Sequence, residues 1–291
     1  MDYMLGKLPQ KVDKRTFKLR AILNKKLLPP LPDEYITDST CPSLLDNFMF
    51  ANDKYGCCVM SGRAHITLRF ECFEQGQIIT ISDDDVVNAY LHESGGADSG
   101  LVMLDSLRNW RKEGWWAGGK AYNIYAFAQI SIKQHNDCRY AVFIFRGAYI
   151  GVALPKSAKN QDVWDVVEGP DGEWGSWGGH CVYVNEYNAI GPVCITWGKR
   201  QQMTWDFWDK YVDEAYAIID NRDTFVNAET NPLNCEKLVS LLEEVSPVLP
   251  EPPNPNPPNP PTPEPHVPWY EKIKKFFRDL YEAIKGWFVD R

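Results

Sequence analysis

Two stretches of this chain bring together residue types that could do nucleophilic chemistry. The first is Asn52-Asp53-Lys54-Tyr55-Gly56-Cys57-Cys58-Val59-Met60, which leads straight into residues with helical spacing. A thiol in the first turn of a helix faces unpaired backbone N–H groups and the positive end of the helix dipole, and both favour thiolate. The second is Gly178-Gly179-His180-Cys181-Val182-Tyr183-Val184, where two glycines allow a close bend before a histidine that opens an apolar, strand-like run. A cysteine at a helix start and a histidine on a strand from the other half of the chain are one way to build a nucleophile with its base. Cys57 competes with Cys58 but points about 100° away on the helix, and the spacing from Asn52 and Gly56 favours Cys58. Both Cys58 and His180 also admit a plain reading as buried packing residues, as free cysteines often are. His65, His92, His135 and His266 lack any such context and read as surface or packing side chains. Adjacent pairs such as Cys57-Cys58 and His180-Cys181 do not have the spacing of a structural zinc site, so neither a metal nor a cofactor is implied.

These residues must be positioned by a chain of 291 residues with net charge −8 and 44% hydrophobic content. That composition suits a packed globular domain and excludes binding of nucleic acid through bulk positive charge. No run of 18 apolar residues offers a membrane-spanning helix, and Met1–Arg20, rich in Lys and Arg, lacks the apolar core of a signal peptide. Eight cysteines without a CxxC pair suggest reduced thiols and a reducing setting. Residues 1–40 read as an irregular lead-in broken by Pro29, Pro30 and Pro32. Helical patterns follow after Gly56 (Met60, Ala64, Leu68), from Ser82, which can cap its own helix, and over Leu101–Trp110. Strand-like runs then dominate, at Tyr122–Ile132, Ala148–Ala153, Cys181–Val184 and Pro192–Trp197. Periodicity leaves Ala141–Phe145 open between helix and strand. Thr204 can cap a short helix, and Pro232 opens another over Leu233–Val245. A helical half followed by a strand-rich half predicts an α+β protein with two lobes over residues 41–246. Prolines make up 12 of the 22 residues from Pro247 to Pro268, which predicts an extended linker reaching roughly 70 Å. Residues 269–291 then carry an amphipathic helix, with Trp269, Ile273, Phe276, Phe277, Leu280, Ile284 and Trp287 on its apolar face.

With these motifs in place, the sequence resembles the papain-like cysteine peptidases. Asn52–Met60 is similar to the segment that carries that family's oxyanion side chain, glycine and nucleophile. Cys58 falls on the nucleophile, and Asn52 stands where the family has glutamine. Ser94–Gly100 followed by Leu101–Trp110 resembles the glycine-rich turn and helix beside the substrate cleft, which implies Gly96 and Gly100 as substrate-binding residues. Gly-Gly-His180 matches the family's histidine, Ile195-Thr196-Trp197-Gly198 resembles the stretch that orients and shields it, with Trp197 at the substrate side, and Glu214-Ala215-Tyr216 resembles the closing strand. The likeness spans roughly residues 45–220. It extends to uncharacterised papain-like proteins of bacteria and phages, which share patterns such as Tyr-Ile-Gly-x-x-Leu-Pro and Thr-Trp-Gly. The chain departs from the family at three points. Ile195 stands where the histidine-orienting asparagine belongs, with Asn185, Asn188 and Asp165 as alternatives. Thr196, adjacent to Ile195, would point to the other face of a strand. Val59 replaces tryptophan after the nucleophile, and no inhibitory propeptide is recognisable.

The resemblance implies a papain-like two-lobed fold and a peptidase or amide hydrolase. Cys58 would attack a peptide or protein substrate, His180 would act as base, and the Cys58 N–H and Asn52 side chain would bind the oxyanion. The contrasting reading is a structural or binding component on the same scaffold, for example in a phage virion. In either case Trp269–Phe288 would dock on a protein partner or on itself, ahead of a membrane surface, and the setting would be cytoplasmic or virion-associated.

Overall fold

The computed structural model describes residues 3–36, 47–76, 78–220 and 232–245. The proline-rich linker and the helix expected over 269–291 lie outside the described residues. The described part of the lead-in is irregular except for one turn, α1 (Leu19–Ile22). The helix expected after Gly56 is α2 (Cys58–Gln75). It ends at Gly76, whose left-handed backbone (φ 62°) lets its N–H donate to the Cys72 carbonyl. The expected apolar stripe is only part of its surface, because the polar side is buried too. Arg63 reaches Glu93 at 2.7 Å and donates to the Ser106 carbonyl at 2.7 Å, so its charge is paired inside the protein.

Ser82 caps α3 (Asp83–Glu93) in a reciprocal capping box with Asp85. After α4 (Met103–Lys112) a hairpin of β1 (Trp115–Ala117) and β2 (Lys120–Tyr122) leads to β3 (Ala126–Gln129). The ambiguous run ending at Phe145 is helical, as α5 (His135–Phe145). There follow β4 (Ala148–Leu154), β5 (Val163–Trp164), β6 (Gly178–Tyr187), β7 (Pro192–Thr196) and β8 (Lys199–Met203). Thr204 accepts from the Phe207 N–H at 3.0 Å and so caps α6 (Trp205–Tyr211), which runs into β9 (Val212–Ile219). In α7 (Cys235–Val245) the cap is Asn234, which accepts from the Lys237 N–H, with Pro232 just outside the helix.

Seven strands form one sheet in the order β3-β9-β4-β6-β7-β8-β5. Alternation along β4 and β6 sends residues to two separate cores. Ile150, Val152, Val182 and Val184 join α1, α5, α6 and α7 in one. Tyr149, Cys181 and Tyr183 join α2, α3 and α4 in the other. The helical and strand-rich lobes expected from the sequence thus meet along the line where α2 packs on β6 and β7. Cys72 in α2 is disulfide-bonded, contrary to the expectation of reduced thiols throughout; Cys57, Cys58, Cys138, Cys181, Cys194 and Cys235 are thiols.

Candidate active site

Cys58 is the first residue of α2 and is buried. The turn before it holds Phe50 and Ala51 at positive φ (50° and 55°), an uncommon backbone for such side chains. The Ser61 hydroxyl fixes that turn by donating to the Phe50 carbonyl at 3.2 Å. Cys57 points to the same carbonyl (3.4 Å), away from Cys58, and burial pushes its thiol up to about 12. Asn52, Cys58, Thr196, Trp197 and Ile195 line one cavity of about 10 Å³, close to the minimum for a single water.

His180 is the third residue of β6, on the face shared with Val182. Its Nε2 hydrogen-bonds the Thr196 hydroxyl at 2.7 Å, and its ring stacks on Trp197 with centroids 4.1 Å apart and planes at 12°. Trp197 reaches this place through a two-residue turn, Trp197-Gly198, in which both residues have positive φ (47° and 68°) and Thr196 pairs with Lys199. Such a turn matches strand twist but normally begins with Asn or Gly. A tryptophan there costs roughly 1–2 kcal/mol, a strain of the kind that concentrates at functional sites. The side chain that meets the His180 ring nitrogen is therefore Thr196. Ile195 faces the other core, Asn188 donates to Gln202, Asn185 to Glu186, and Asp165 accepts from Thr204.

Among the described residues no cleft stands open above this site, because residues 3–8 run through it as a strap. The Lys7 N–H donates to the Gly179 carbonyl (3.2 Å), beside His180. On the other wall Leu101 N–H donates to Gly6 O (2.8 Å) and Leu8 N–H to Leu101 O (2.9 Å), a parallel bridge. A Cβ on Gly100 would meet Gly6 O at 2.5 Å, and one on Gly179 would meet Lys7 O at 2.2 Å. Both glycines are thus needed to admit the strap's main chain. Gly96 is not in this wall: open space surrounds it, and its N–H closes the end of α3 on Leu91 O. Asn52 Nδ2 donates to Met4 O (3.3 Å) and Tyr55 O (3.0 Å), and Trp197 Nε1 donates to the same Met4 O (3.4 Å). Tyr3 stacks on Trp197. The short lead-in is therefore an occluding segment that the sequence does not reveal, since nothing in Tyr-Met-Leu-Gly-Lys-Leu marks it as a plug.

Burial sets the electrostatics. Burial raises the Cys58 thiol, partly offset by the backbone N–H groups of Cys181 and Gly6 and by the Lys7 charge. Burial lowers His180 to about 3. His180 Nδ1 is buried without a hydrogen-bond partner, and burial drives both the thiol and the imidazole toward their neutral forms. One positioning network also escapes the sequence. Asp98 accepts from Gly56 N–H (3.0 Å) and Tyr90 O–H (2.6 Å), and Tyr90 accepts from Gly100 N–H (2.8 Å). It ties the glycine-rich wall to the segment just before Cys58, and the Gly-Gly-Ala-Asp-Ser-Gly composition is its only visible sign.

Solved structures share this arrangement of lobes. Xylellain, a cysteine protease from Xylella fastidiosa, superposes with a TM-score of 0.58 over 76% of this chain and 97% of its own, at 15% identity. A procathepsin B from Trypanosoma congolense does so with 0.57 over 75% and 87%, at 14% identity. The fold is that of the papain-like cysteine proteases. No protein-family model and no curated protein matches the sequence. Among the described residues of this papain-like domain no helix is long and apolar enough to cross a membrane.

Proposed function

We propose that this chain is a cysteine peptidase or related amide hydrolase, held latent by residues 3–8. With the strap displaced, water re-enters, the His180 pKa rises and the Cys58 pKa falls. His180 Nδ1 takes the thiol proton, and Cys58 Sγ attacks the substrate carbonyl carbon. The oxyanion is received by the Cys58 N–H and by the Asn52 N–H that Met4 O now occupies. His180 then gives its proton to the leaving amine, and a water activated by the same imidazole hydrolyses the thioester. Thr196 and Trp197 keep the ring in place throughout.

The observation that carries this reading is a main-chain segment seated over Cys58 and paired with both walls, as a peptide ligand would be. It presents the Gly6 N–H to the thiol while the Gly6 carbonyl is turned to Leu101. The strap therefore blocks the site without offering a carbon to attack. The depth of this burial is also what favours the second reading, a structural or binding component on an inert scaffold. Trp269–Phe288 remains the proposed attachment element to a protein partner. Deleting residues 246–291 should abolish that attachment while leaving the melting temperature of the domain unchanged.

The deciding experiment measures turnover of a fluorogenic peptide library by the full chain before and after strap release. Turnover that vanishes in folded Cys58→Ala and His180→Ala supports the hydrolase. A chain whose Cys58 has become alkylatable yet which cuts nothing is a scaffold.

A further inference from the structure

Leu101 gives the strap both of its main-chain groups, its N–H to Gly6 O and its carbonyl to Leu8 N–H. The loop that carries this ledge, between α3 and α4, is poorly built to hold it unaided. Gly95, Gly96 and Gly100 have positive φ (76°, 89° and 79°), and glycine loses the most backbone freedom on ordering. What fixes the loop is a chain of hydrogen bonds that ends on one carboxylate oxygen. Gly100 N–H donates to the Tyr90 phenol oxygen at 2.8 Å, and Tyr90 O–H donates to Asp98 Oδ1 at 2.6 Å. Gly56 N–H donates to the same Asp98 oxygen at 3.0 Å. Tyr90 is fully buried on α3. Burial and the neighbouring carboxylate hold its phenol above the ordinary pKa, so it keeps the proton it donates.

Chemistry sets the direction of this chain. A carboxylate only accepts, so the phenol donates to it and keeps a lone pair for the Gly100 N–H. Bonds to a charged acceptor are also the stronger ones. Both ends of the chain touch the strap. A Cβ on Gly56 would stand 2.9 Å from Leu5 O and 3.3 Å from Gly6 Cα, and one on Gly100 would stand 2.5 Å from Gly6 O. Gly56 lies two residues before Cys58, and Gly100 directly precedes Leu101. Asp98 therefore sets the spacing between the turn that carries the nucleophile and the ledge that pairs with a main chain. When the strap leaves, Leu101 loses its bonds to Gly6 and Leu8, whereas the chain through Asp98 uses no strap atom and stays. A ledge already in place receives a peptide without first ordering the loop. An untied ledge must be ordered at binding, a cost carried equally by bound substrate and transition state, which raises KM and spares kcat.

We infer that Tyr90 and Asp98 are positioning residues of the cleft, which hold the Leu101 main chain at a fixed spacing from Cys58, first for the strap and then for the peptide that replaces it. The kinetic side of this role rests on the proposed peptidase reading, so the test has an arm that needs no catalysis. In the full-length chain with its strap intact, iodoacetamide labelling of Cys58 is measured relative to Cys235. Tyr90→Phe keeps the ring and removes only the hydroxyl, and Asp98→Ala removes the acceptor. Each should speed Cys58 labelling roughly fivefold or more, the loss of one net hydrogen bond from the closed state. Asp98→Asn should label at the native rate, because both bonds fall on Oδ1 and an amide oxygen can accept them. Should Asp98→Ala fail to fold, Tyr90→Phe and Asp98→Asn carry the comparison. Unchanged labelling in folded Tyr90→Phe, or an Asp98→Asn rate raised as far as that of Tyr90→Phe, overturns the inference. The catalytic arm uses the Gly6→Ala chain, whose added Cβ would meet Gly56 O at 1.7 Å and so drives the strap off Leu101. There Tyr90→Phe should raise KM for a fluorogenic peptide roughly fivefold or more and leave kcat within about twofold. Asp98→Ala, which also frees Gly56, should lower kcat as well, and Asp98→Asn should restore both constants. The expected labelling pattern without any turnover keeps the positioning role and removes the peptidase. Turnover in which Tyr90→Phe lowers kcat alone keeps the peptidase and overturns the positioning role.

Discussion

Replacing Gly6 by alanine should uncover Cys58. The added Cβ would stand 1.7 Å from the Gly56 carbonyl oxygen, where real Cβ contacts begin near 3.0 Å, so the strap must retreat by about 1.3 Å. Gly56 cannot yield instead, because its N–H is held by Asp98 two residues before the helix that carries Cys58. A retreat of that size breaks three hydrogen bonds: Leu101 N–H to Gly6 O, Lys7 N–H to Gly179 O and Leu8 N–H to Leu101 O. At about 1 kcal/mol net each the closed state loses roughly 3 kcal/mol, which raises the open population about 100-fold. Iodoacetamide labelling resolved by mass spectrometry reads this directly. Cys58 should be alkylated at least tenfold faster in Gly6→Ala than in the native chain, while the partly exposed Cys235 keeps its rate. An unchanged Cys58 rate in a folded variant, or acceleration at Cys57 instead, would refute the idea that the strap guards this thiol.

Thr196→Val in the Gly6→Ala background removes the hydroxyl from His180 Nε2 and leaves a buried ring nitrogen unpaired, a loss of about 1–3 kcal/mol. It should lower kcat by tenfold or more and shift the pH–rate profile, and Thr196→Ser should restore both. Ile195→Asn, which puts an amide where family resemblance expects the orienter, should instead lower the melting temperature by several degrees without raising turnover. That side chain faces the apolar core beside Tyr183, not His180. The strap should loosen in alkali and not in acid. Glu214 and Asp213 hold the Lys7 ammonium above its ordinary pKa against burial, so its hold on the closed state is complete below that ordinary value and is lost as the pH rises through the raised one. Burial raises the Glu214 carboxyl, so protonating it does not favour release. Labelling of Cys58, taken relative to Cys235, should therefore stay flat on acidification and rise at high pH, and the rise should move to lower pH in Glu214→Gln.

The features of this protein that rest on local chemistry are legible in its chain. Ser82 and Thr204 announce their helices because a hydroxyl caps the N–H groups a few residues ahead of it. Apolar runs mark β4, β6 and β7 because buried strands are written as continuous hydrophobic residues. The order of Cys58, His180 and Trp197, each in a distinctive short motif, points to the two-lobed fold. What stays illegible depends on contacts between distant residues. Thr196 and Ile195 are neighbours, and only the register of β6 against β7 decides which of them meets the imidazole. The role of residues 3–8 has no local signature, because a strap is recognised by main-chain hydrogen bonds that any sequence can make. Its one distinctive side chain, Lys7, acquires meaning only when the fold brings Asp213 and Glu214, more than 200 positions away, to the slot that Gly151 leaves open. The same closure buries Cys58 and His180, so the residues that could do chemistry are named by the sequence, while their protonation and their access to substrate are set by the tertiary structure.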